Sequence, residues 1–406
     1  MLLADTHRVN PAPGLAARPA EAWPCFEQDE LDAAMAVLRS GKINQWTGDK
    51  VAAFELAYER LVGCGRAVAV ANGTLALELA LRALGIGPGD DVVVTPRSFV
   101  ASASCVRLVG ATPVFADVDR DSGNIDAAGI AAVLTPRTKA IIPVHLGGWP
   151  ADMADIMALA RPRGIKVIED CAQAHGAEIG RSPVGSFGDA ACFSFCQDKI
   201  ISTGGEGGLA LFQDPQAYRW AWSYKDHGKN RFKVDRPQAE PGFKWVHDAI
   251  GTNWRMLELS AAIGLVQLAK LERWRAARTR NAAIWAEALG RVDGLRVPTP
   301  PSGVTGACYK TYAYLDPWTD RSAGLRARII AEAQREGLAV FSGSCPEIYR
   351  EQAFADLAVT RLPVARELGE TALMFEVHPT LDPDLLRQRA SAVAAIAANV
   401  LRQDGE

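Results

Sequence analysis

Residues 192–212 read CFSFCQDKIISTGGEGGLALF, two short apolar runs with a lysine and a glycine-rich turn between them. Lysine is unfavourable at a buried strand edge, so Lys199 is predicted to lie on a loop that leaves the sheet. Four glycines around one glutamate cost backbone entropy that a merely structural loop seldom needs. The pattern therefore predicts a lysine beside a ligand, and a solvated loop lysine is the alternative for this residue taken alone.

Upstream of this stretch, from about residue 67, short β-branched runs alternate with helical segments. The runs AVAVAN, DVVVTP, ATPVFADV, KAIIPVHL and KVIED are typical of a parallel sheet that is covered by helices on both faces. Downstream, apolar residues recur at helical spacing from Met256 onwards and predict a long helix joining two lobes. Beyond that helix the chain is predicted to form a smaller α/β portion.

The composition argues against several classes of protein. With a formal net charge of −3 and no basic stripe, the chain is not expected to bind nucleic acid or anionic lipid. No apolar run reaches the about 18 residues of a membrane helix, and residues 1–22 look like a loose Pro/Ala-rich lead-in rather than a secretory signal. Eight cysteines without a CxxC pair predict reduced thiols in a cytoplasmic protein, and no metal site.

Polar or aromatic residues follow four of the predicted strands, where the ligands of an open parallel sheet bind. Asn72, Gly73 and Thr74 open a helix whose free N–H groups suit a phosphate, although an ordinary N-cap is the alternative for this tripeptide alone. Phe99 follows the next strand. It would stack on a flat ligand at this edge, although taken alone it is better explained as a core residue.

Asp170 ends the predicted strand KVIED, and Gln173 and His175 follow within five residues. An acid at this place would hold a protonated ring nitrogen, and Gln173 would hydrogen-bond a ring oxygen; a turn-forming aspartate is the alternative. Ser194 lies five residues before Lys199, whose amine would act as a nucleophile in a partly desolvated cleft. Each of these assignments is weak for a single residue.

Taken together, these residues provide what pyridoxal 5′-phosphate needs from a protein. The cofactor requires a phosphate binder, an aromatic stacking surface, an acid for its pyridine nitrogen and an amine for its aldehyde. A nicotinamide dinucleotide is disfavoured, because GGEGG lacks the GxGxxG spacing and does not join a first strand to a helix.

Several longer motifs occur in one order across residues 23–406: NGTLALELAL, TPRSFVASA, PVHLGG, IEDCAQAHGA, FSFCQDKIISTGGEGG, GTNWRMLELSAAIGLVQL and VHPTL. In these motifs the chain resembles the DegT/DnrJ/EryC1/StrS aminotransferases, sugar aminotransferases of the fold-type I pyridoxal-phosphate class. The resemblance implies an aspartate aminotransferase-like α/β fold. A large cofactor-binding domain at residues 23–272 would contain a mostly parallel seven-stranded sheet, and residues 273–406 would form a smaller α/β domain.

The resemblance also implies roles for single residues. Lys199 would form the Schiff base with the cofactor and shuttle the proton, and Asp170 would keep the pyridine nitrogen protonated. The remaining cofactor contacts would come from Gly73, Thr74, Phe99, Gln173, Ser194 and, across a homodimer interface, from Asn253 of the neighbouring chain. Substrate-lining residues would be Trp46, Thr47, His227 and His378, for which surface or packing roles are equally good alternatives.

The activity implied by the resemblance is transfer of an amino group, from L-glutamate, to the keto carbon of a nucleotide-linked sugar in amino-sugar biosynthesis. A cyclitol or an aminobenzoate precursor is an alternative acceptor. A sugar dehydratase and a catalytically silent regulator are further alternatives. Lysine rather than histidine at position 199 favours transamination over dehydration, and the lack of an added DNA-binding segment argues against a regulator.

Overall fold

The structure, a computed structural model, describes residues 21–237 and 241–405. Most of the predicted lead-in, residues 1–20, lies outside the described residues. The last part of the lead-in is held in place, because the buried Glu21 pairs with Arg389 at 3.0 Å.

The fold contains short strands and helices of very different lengths. The strands are β1 (Arg66–Val70), β2 (Asp91–Val94), β3 (Thr112–Phe115), β4 (Thr138–Ile142), β5 (Lys166–Asp170), β6 (Glu178–Ile179), β7 (Ser182–Pro183), β8 (Ala190–Ser194), β9 (Gly208–Phe212), β10 (Leu295–Arg296), β11 (Val304–Thr305), β12 (Lys310–Leu315) and β13 (Ala372–Glu376). The α-helices are α1 (Gln28–Ser40), α2 (Lys50–Val62), α3 (Gly73–Ala83), α4 (Ala101–Leu108), α5 (Ala127–Val133), α6 (Met153–Ala160), α7 (Pro215–Tyr224), α8 (Arg231–Asp235), α9 (Glu258–Leu289), α10 (Ser322–Arg335), α11 (Pro363–Thr371) and α12 (Pro383–Gly405).

One seven-stranded sheet forms the centre of the molecule, in the order β1-β9-β8-β5-β4-β2-β3. The neighbours from β3 to β8 run parallel, and β9 runs antiparallel to both β8 and β1. The predicted mostly parallel, seven-stranded α/β sheet is therefore confirmed. Two smaller three-stranded sheets follow the orders β10-β12-β13 and β11-β6-β7.

The central strands are apolar because both faces of the sheet are covered. In β2, for example, Val92 and Val94 face one apolar cluster with helices α3, α4 and α7, whereas Val93 faces another cluster with α6. Successive strand residues point to opposite faces, so a sheet buried on both sides needs an unbroken apolar run. Because β2, β3, β4, β5 and β8 run parallel, their carboxyl ends, and the polar residues that follow them, lie at one edge of the sheet.

The long helix α9 spans 32 residues, about 48 Å at the usual rise. It begins at Glu258, two residues later than the sequence predicts, and Met256 is buried just before it. The predicted domain boundary at residue 272 falls within this continuous helix. Residues beyond the boundary also pack on the large sheet, since Ile348 and Leu368 lie in its two apolar clusters. The division into domains remains a prediction.

Candidate active site

Lys199 lies on the loop between β8 and β9, as the sequence predicts. Its side chain is 15% exposed, and its Nζ lies 3.3 Å from the hydroxyl of Tyr309 and 3.2 Å from a carboxylate oxygen of Asp198. The indole Nε1 of Trp23 donates to the Lys199 carbonyl at 2.9 Å. The lysine is thus held at its backbone and at its amine, and it is not a solvated loop residue.

The start of helix α3 forms a narrow cradle against the ends of β8 and β9. A Cβ on Gly73 would lie 2.6 Å from Cβ of Ser194, and one on Gly208 would lie 2.1 Å from the carbonyl oxygen of Asn72. Glycine is therefore required at both positions. The side chain of Asn72 caps the helix by accepting from the N–H of Leu75, which leaves the first-turn N–H groups nearest Gly73 for a ligand.

Asp170 is the last residue of β5 and is only 4% exposed. Its carboxylate accepts hydrogen bonds from the Ser102 hydroxyl at 2.8 Å and from the N–H of Ala172 at 3.1 Å. Burial raises the pKa of Asp170 above its usual value, and the Ser102 hydrogen bond and the charge of Lys199 act in the opposite direction. A cationic partner at this carboxylate would favour its ionised form.

Phe99 and Gln173 each keep a group free that a ring-shaped ligand could contact. Phe99 is 66% exposed although it follows a buried strand, so its explanation as a core residue is wrong. Gln173 is buried and its Oε1 accepts from the N–H of Gly147 at 2.7 Å, which leaves the side-chain NH₂ as the group that would reach a ring oxygen.

His175 does not belong to this group, although the sequence places it beside Asp170 and Gln173. Its imidazole is completely buried between the hydroxyl of Tyr58 and the carbonyl of Ser194, at 2.9 Å from each. Burial lowers the pKa of His175 to about 3, so the ring is neutral and structural. The chain turns after β5, and this turn directs His175 into the core.

The buried His175 predicts a pH dependence of stability. The unfolded histidine takes up a proton below about pH 6.5, whereas the folded one does so only near about pH 3. Stability should therefore fall as the pH is lowered through this window, by about 1.4 kcal/mol per pH unit. Urea unfolding between about pH 7 and pH 5 should show a smaller pH slope for His175→Gln than for the wild type. The exposed His247, changed to Gln, is the control, and equal slopes for His175→Gln and the wild type would contradict the prediction.

Trp46 and His227 lie beside the segment that carries Asn253 and not beside Lys199. Trp46 donates its indole N–H to the buried Asp226 at 2.7 Å, and the N–H of His227 donates to the carbonyl of Thr252 at 2.9 Å. Asn253 itself forms a β-bridge with Asp226 and is exposed.

Thr47 and His378 lie in different surroundings. The hydroxyl of Thr47 is exposed and donates to the carbonyl of Asn44 within its own turn. His378 is 6% exposed, stacks on Trp23 with ring centroids 6.2 Å apart, and shares a hydrogen bond with the Thr380 hydroxyl. Through Trp23, His378 lies on the Lys199 side of the molecule.

Three contacts in the site are missing from the sequence prediction. Ser102 holds Asp170, and Asp198 and Tyr309 hold the amine of Lys199. Asp198 precedes the lysine directly, and this position is a clue that sequence analysis could have used. Tyr309 is 110 residues from Lys199 along the chain, and nothing in its local sequence indicates the contact.

The arrangement fits pyridoxal phosphate on observations from this chain alone. Gly73 lets the start of α3 approach Ser194 closely, so that the first-turn N–H groups and the Ser194 hydroxyl lie together where a phosphate would bind. Phe99 is an uncovered ring, and a cationic partner would stabilise the buried Asp170. The loop of Lys199 begins beside Asp170, since Asp170 pairs with Cys192 in β8, the strand that leads into this loop. Sheet order and site together define a pyridoxal-phosphate-dependent transaminase of the α/β class.

Comparison with known proteins places the chain more narrowly. The profile of the DegT/DnrJ/EryC1/StrS aminotransferase family matches residues 24–394, and the chain belongs to this family. The resemblance and the transaminase class expected from the sequence are thereby confirmed. The part of the chain that the structure describes contains no helix long and apolar enough to cross a membrane.

Similar proteins include curated enzymes and a solved structure. The chain is 38% identical to a UDP-N-acetyl-3-dehydro-alpha-D-glucosamine 3-aminotransferase of Acidithiobacillus ferrooxidans over 85% of this chain and 88% of that protein. It is 33% identical to the 3-amino-5-hydroxybenzoate synthase of Amycolatopsis mediterranei, covering 83% and 84% of the two chains. The X-ray structure of an aminotransferase from Psychrobacter cryohalolentis matches with a TM-score of 0.90 and 47% identity, covering 94% and 99%.

Proposed function

We propose that the protein transfers an amino group from L-glutamate to the keto carbon of a nucleotide-linked keto sugar, for the synthesis of an amino sugar. The observation that carries the proposal is that the buried Asp170 pairs with Cys192 in β8, the strand that leads directly into the loop of Lys199. The sugar is supported by the 38% identical relative, whose name specifies a UDP-linked 3-keto sugar. We also place the protein in the cytoplasm, on the cysteine usage of its sequence, in which eight cysteines form no CxxC pair.

Each predicted cofactor residue has a separate task in this proposal. Thr74 and the first-turn N–H groups of α3, with Ser194, hold the phosphate at the cradle. Phe99 stacks on the ring and Gln173 contacts the ring oxygen. These contacts fix the ring before any proton moves, so the reacting atoms meet in one orientation.

Asp170 and Lys199 carry the chemistry. When bound, the cofactor supplies an aldehyde that accepts nitrogen and a ring that takes up electrons from the donor carbon. Asp170 keeps the ring nitrogen protonated. The Nζ of Lys199 would remove the proton from the α-carbon of glutamate and return it to the cofactor carbon on the other side of the transferred nitrogen, and the same atom would serve the reverse transfer to the sugar.

Substrate panels can test the proposal directly. The purified protein with pyridoxal phosphate and glutamate is mixed separately with 3-keto and 4-keto sugars linked to UDP, GDP or dTDP, with a keto cyclitol and with a keto precursor of an aminobenzoate, and products are read by mass. An amino sugar supports the proposal. Amination only of a cyclitol or an aminobenzoate precursor, loss of a sugar oxygen without gain of nitrogen, or failure to convert glutamate would each contradict it and indicate one of the alternatives.

We also propose a homodimer in which Asn253 of the partner subunit contacts the phosphate. Asn253 is exposed, as a residue directed at another chain must be. The neighbouring Trp254, however, accepts a hydrogen bond from Ala71 of its own chain at 3.0 Å, close to the start of α3. A mixing experiment distinguishes an Asn253 that contacts the phosphate of the partner subunit from one that contacts the phosphate of its own chain.

Mixing two inactive variants should restore activity if the site is shared. Lys199→Ala and Asn253→Ala chains should each be impaired as homodimers. In a mixed dimer, the lysine of the Asn253→Ala chain receives an intact asparagine from the other chain. Subunit exchange should restore about a quarter of all sites, because half of the dimers are mixed and each has one good site.

A second mixture provides the control. Asp170 and Lys199 belong to the site of one chain, so Lys199→Ala mixed with Asp170→Asn should regain nothing. The Asn253→Ala homodimer must first prove clearly impaired. If the first mixture then also regains nothing, Asn253 serves its own chain and the shared site is ruled out.

A further inference from the structure

The amine of Lys199 has two neighbours for which the proposed reaction gives no role. Its Nζ lies 3.3 Å from the hydroxyl of Tyr309 and 3.2 Å from Oδ1 of Asp198. The same hydroxyl donates to Oδ2 of Asp198, so the three groups form a closed triangle. When protonated, the Nζ of Lys199 can therefore donate hydrogen bonds to two oxygen atoms, one from Tyr309 and one from Asp198.

The chain holds Tyr309 firmly at this place. Tyr309 is 7% exposed, its N–H donates to the carbonyl of Gly147 at 2.9 Å, and its carbonyl accepts from the buried guanidinium of Arg278 at 3.3 Å. The hydroxyl is therefore presented by a fixed backbone and not by a mobile loop. On the lysine side, the hydrogen bond from Trp23 fixes the Lys199 carbonyl.

The ionisation states of Tyr309 and Asp198 suit both groups to accept hydrogen bonds from the Lys199 amine. Burial raises the pKa of Tyr309 well above its usual value, and the Asp198 carboxylate adds to this shift, so the hydroxyl keeps its proton. For Asp198, burial raises the pKa, but the charge of Lys199 and the hydrogen bond from Tyr309 outweigh burial and the net pKa is lowered. The carboxylate is thus ionised. Asp198 is half exposed, and alone it would be a weak surface partner, so the buried hydroxyl is the decisive element.

We propose that Tyr309 and Asp198 form a holding site for the ε-amino group of Lys199 whenever this group is not bonded to the cofactor. Both are positioning residues, which act through Lys199. The inference rests on the proposed function, in which the lysine is released by the donor amine and must return the proton to a nearby carbon. A lysine side chain is long and flexible, and the holding site would restrict it to positions from which this return is direct.

Amine labelling of the cofactor-free protein tests the holding site without any turnover. A brief exposure to acetic anhydride, followed by digestion and mass spectrometry, gives the labelling rate of each lysine. Lys310 is an internal reference, because its Nζ lies 5.4 Å from the centre of the same Tyr309 ring, compared with 5.0 Å for Lys199. Tyr309→Phe keeps the ring and removes only the hydroxyl. A general loosening of the structure would raise the labelling rates of both Lys199 and Lys310, whereas loss of the holding contact would raise the rate of Lys199 alone.

The expected result is a rise of about tenfold in the labelling of Lys199 relative to Lys310 in Tyr309→Phe, with a rise in the same direction in Asp198→Asn. Tyr312→Phe is the matched control, since Tyr312 lies three residues further along, in β12, but stacks on Tyr314, and the labelling ratio of Lys199 to Lys310 in this variant should equal that of the wild type. In the loaded enzyme, Tyr309→Phe should lower kcat about tenfold with little change in the KM for glutamate.

The outcomes separate this inference from the proposed function. An unchanged labelling ratio in both Tyr309→Phe and Asp198→Asn would overturn the holding site, whatever the turnover. If the ratio rises but borohydride fixes added pyridoxal phosphate on a lysine other than Lys199, the holding site stands and the proposed function falls.

Discussion

Replacing Lys199 by alanine is expected to lower turnover by about 10⁴-fold or more, the largest loss expected for any single change in this protein. In the proposed function the amine both binds the cofactor covalently and moves the proton, so its removal takes away both tasks at once. The loss of turnover is measured in steady-state assays with glutamate and a keto compound that the wild-type protein aminates. Some cofactor should remain bound through the phosphate and stacking contacts, since those residues are unchanged.

Two controls accompany this variant. Lys166→Ala removes a lysine at the opposite end of β5, where it pairs with Asp189 at 2.8 Å, and should keep turnover within about twofold of the wild type. Borohydride treatment of the wild type should attach the cofactor to the peptide that contains Lys199. Recovery of the cofactor on another lysine would refute the assignment.

Asp170→Asn is expected to have the second largest effect, a loss of turnover of about 100-fold or more. Asparagine keeps the volume and can still accept the hydrogen bond from Ser102, so the packing is preserved. The negative charge is lost, and the protonated ring nitrogen is no longer favoured. Cofactor content should fall only modestly, because the phosphate and stacking contacts do not depend on this charge.

Asp91→Asn is the matched control for this change. Asp91 is 1% exposed at the start of β2 and pairs with Arg137 at 3.0 Å, at the strand end opposite to the site. Its variant should lose stability but keep turnover per folded molecule. Near-normal turnover of Asp170→Asn would mean that another residue holds the ring nitrogen and that the assumed orientation of the ring is wrong.

The polar cluster at the strand ends could be predicted because it follows from local pattern and sheet geometry. Apolar runs of five residues bounded by helices indicate parallel strands, and their carboxyl ends meet at one edge. Asp170 and Ser194 each end such a run, and Lys199 follows one closely, so the same inference covers them. His175 is the counterexample, because a turn of a few residues decides whether a side chain faces the cleft or the core.

Contacts between distant parts of the chain could not be predicted in this way. Tyr309 reaches Lys199 from the segment just before β12, and Trp46 reaches Asp226 across 180 residues. Neither pair has a periodicity or spacing that links its members. Such contacts depend on how the sheets and helices pack, which a local pattern does not contain.

By itself, the sequence determined the α/β class and the alternation of strands with helices, because these depend on burial periodicity, and it predicted the active residues from residue type and family resemblance. Only the tertiary structure decided what holds the active groups: Ser102 on Asp170, and Tyr309 with Asp198 on Lys199. The physical reason is distance. A hydrogen bond requires its atoms to lie within about 3 Å, and a position of that precision is set by the packed fold and not by neighbours in the chain.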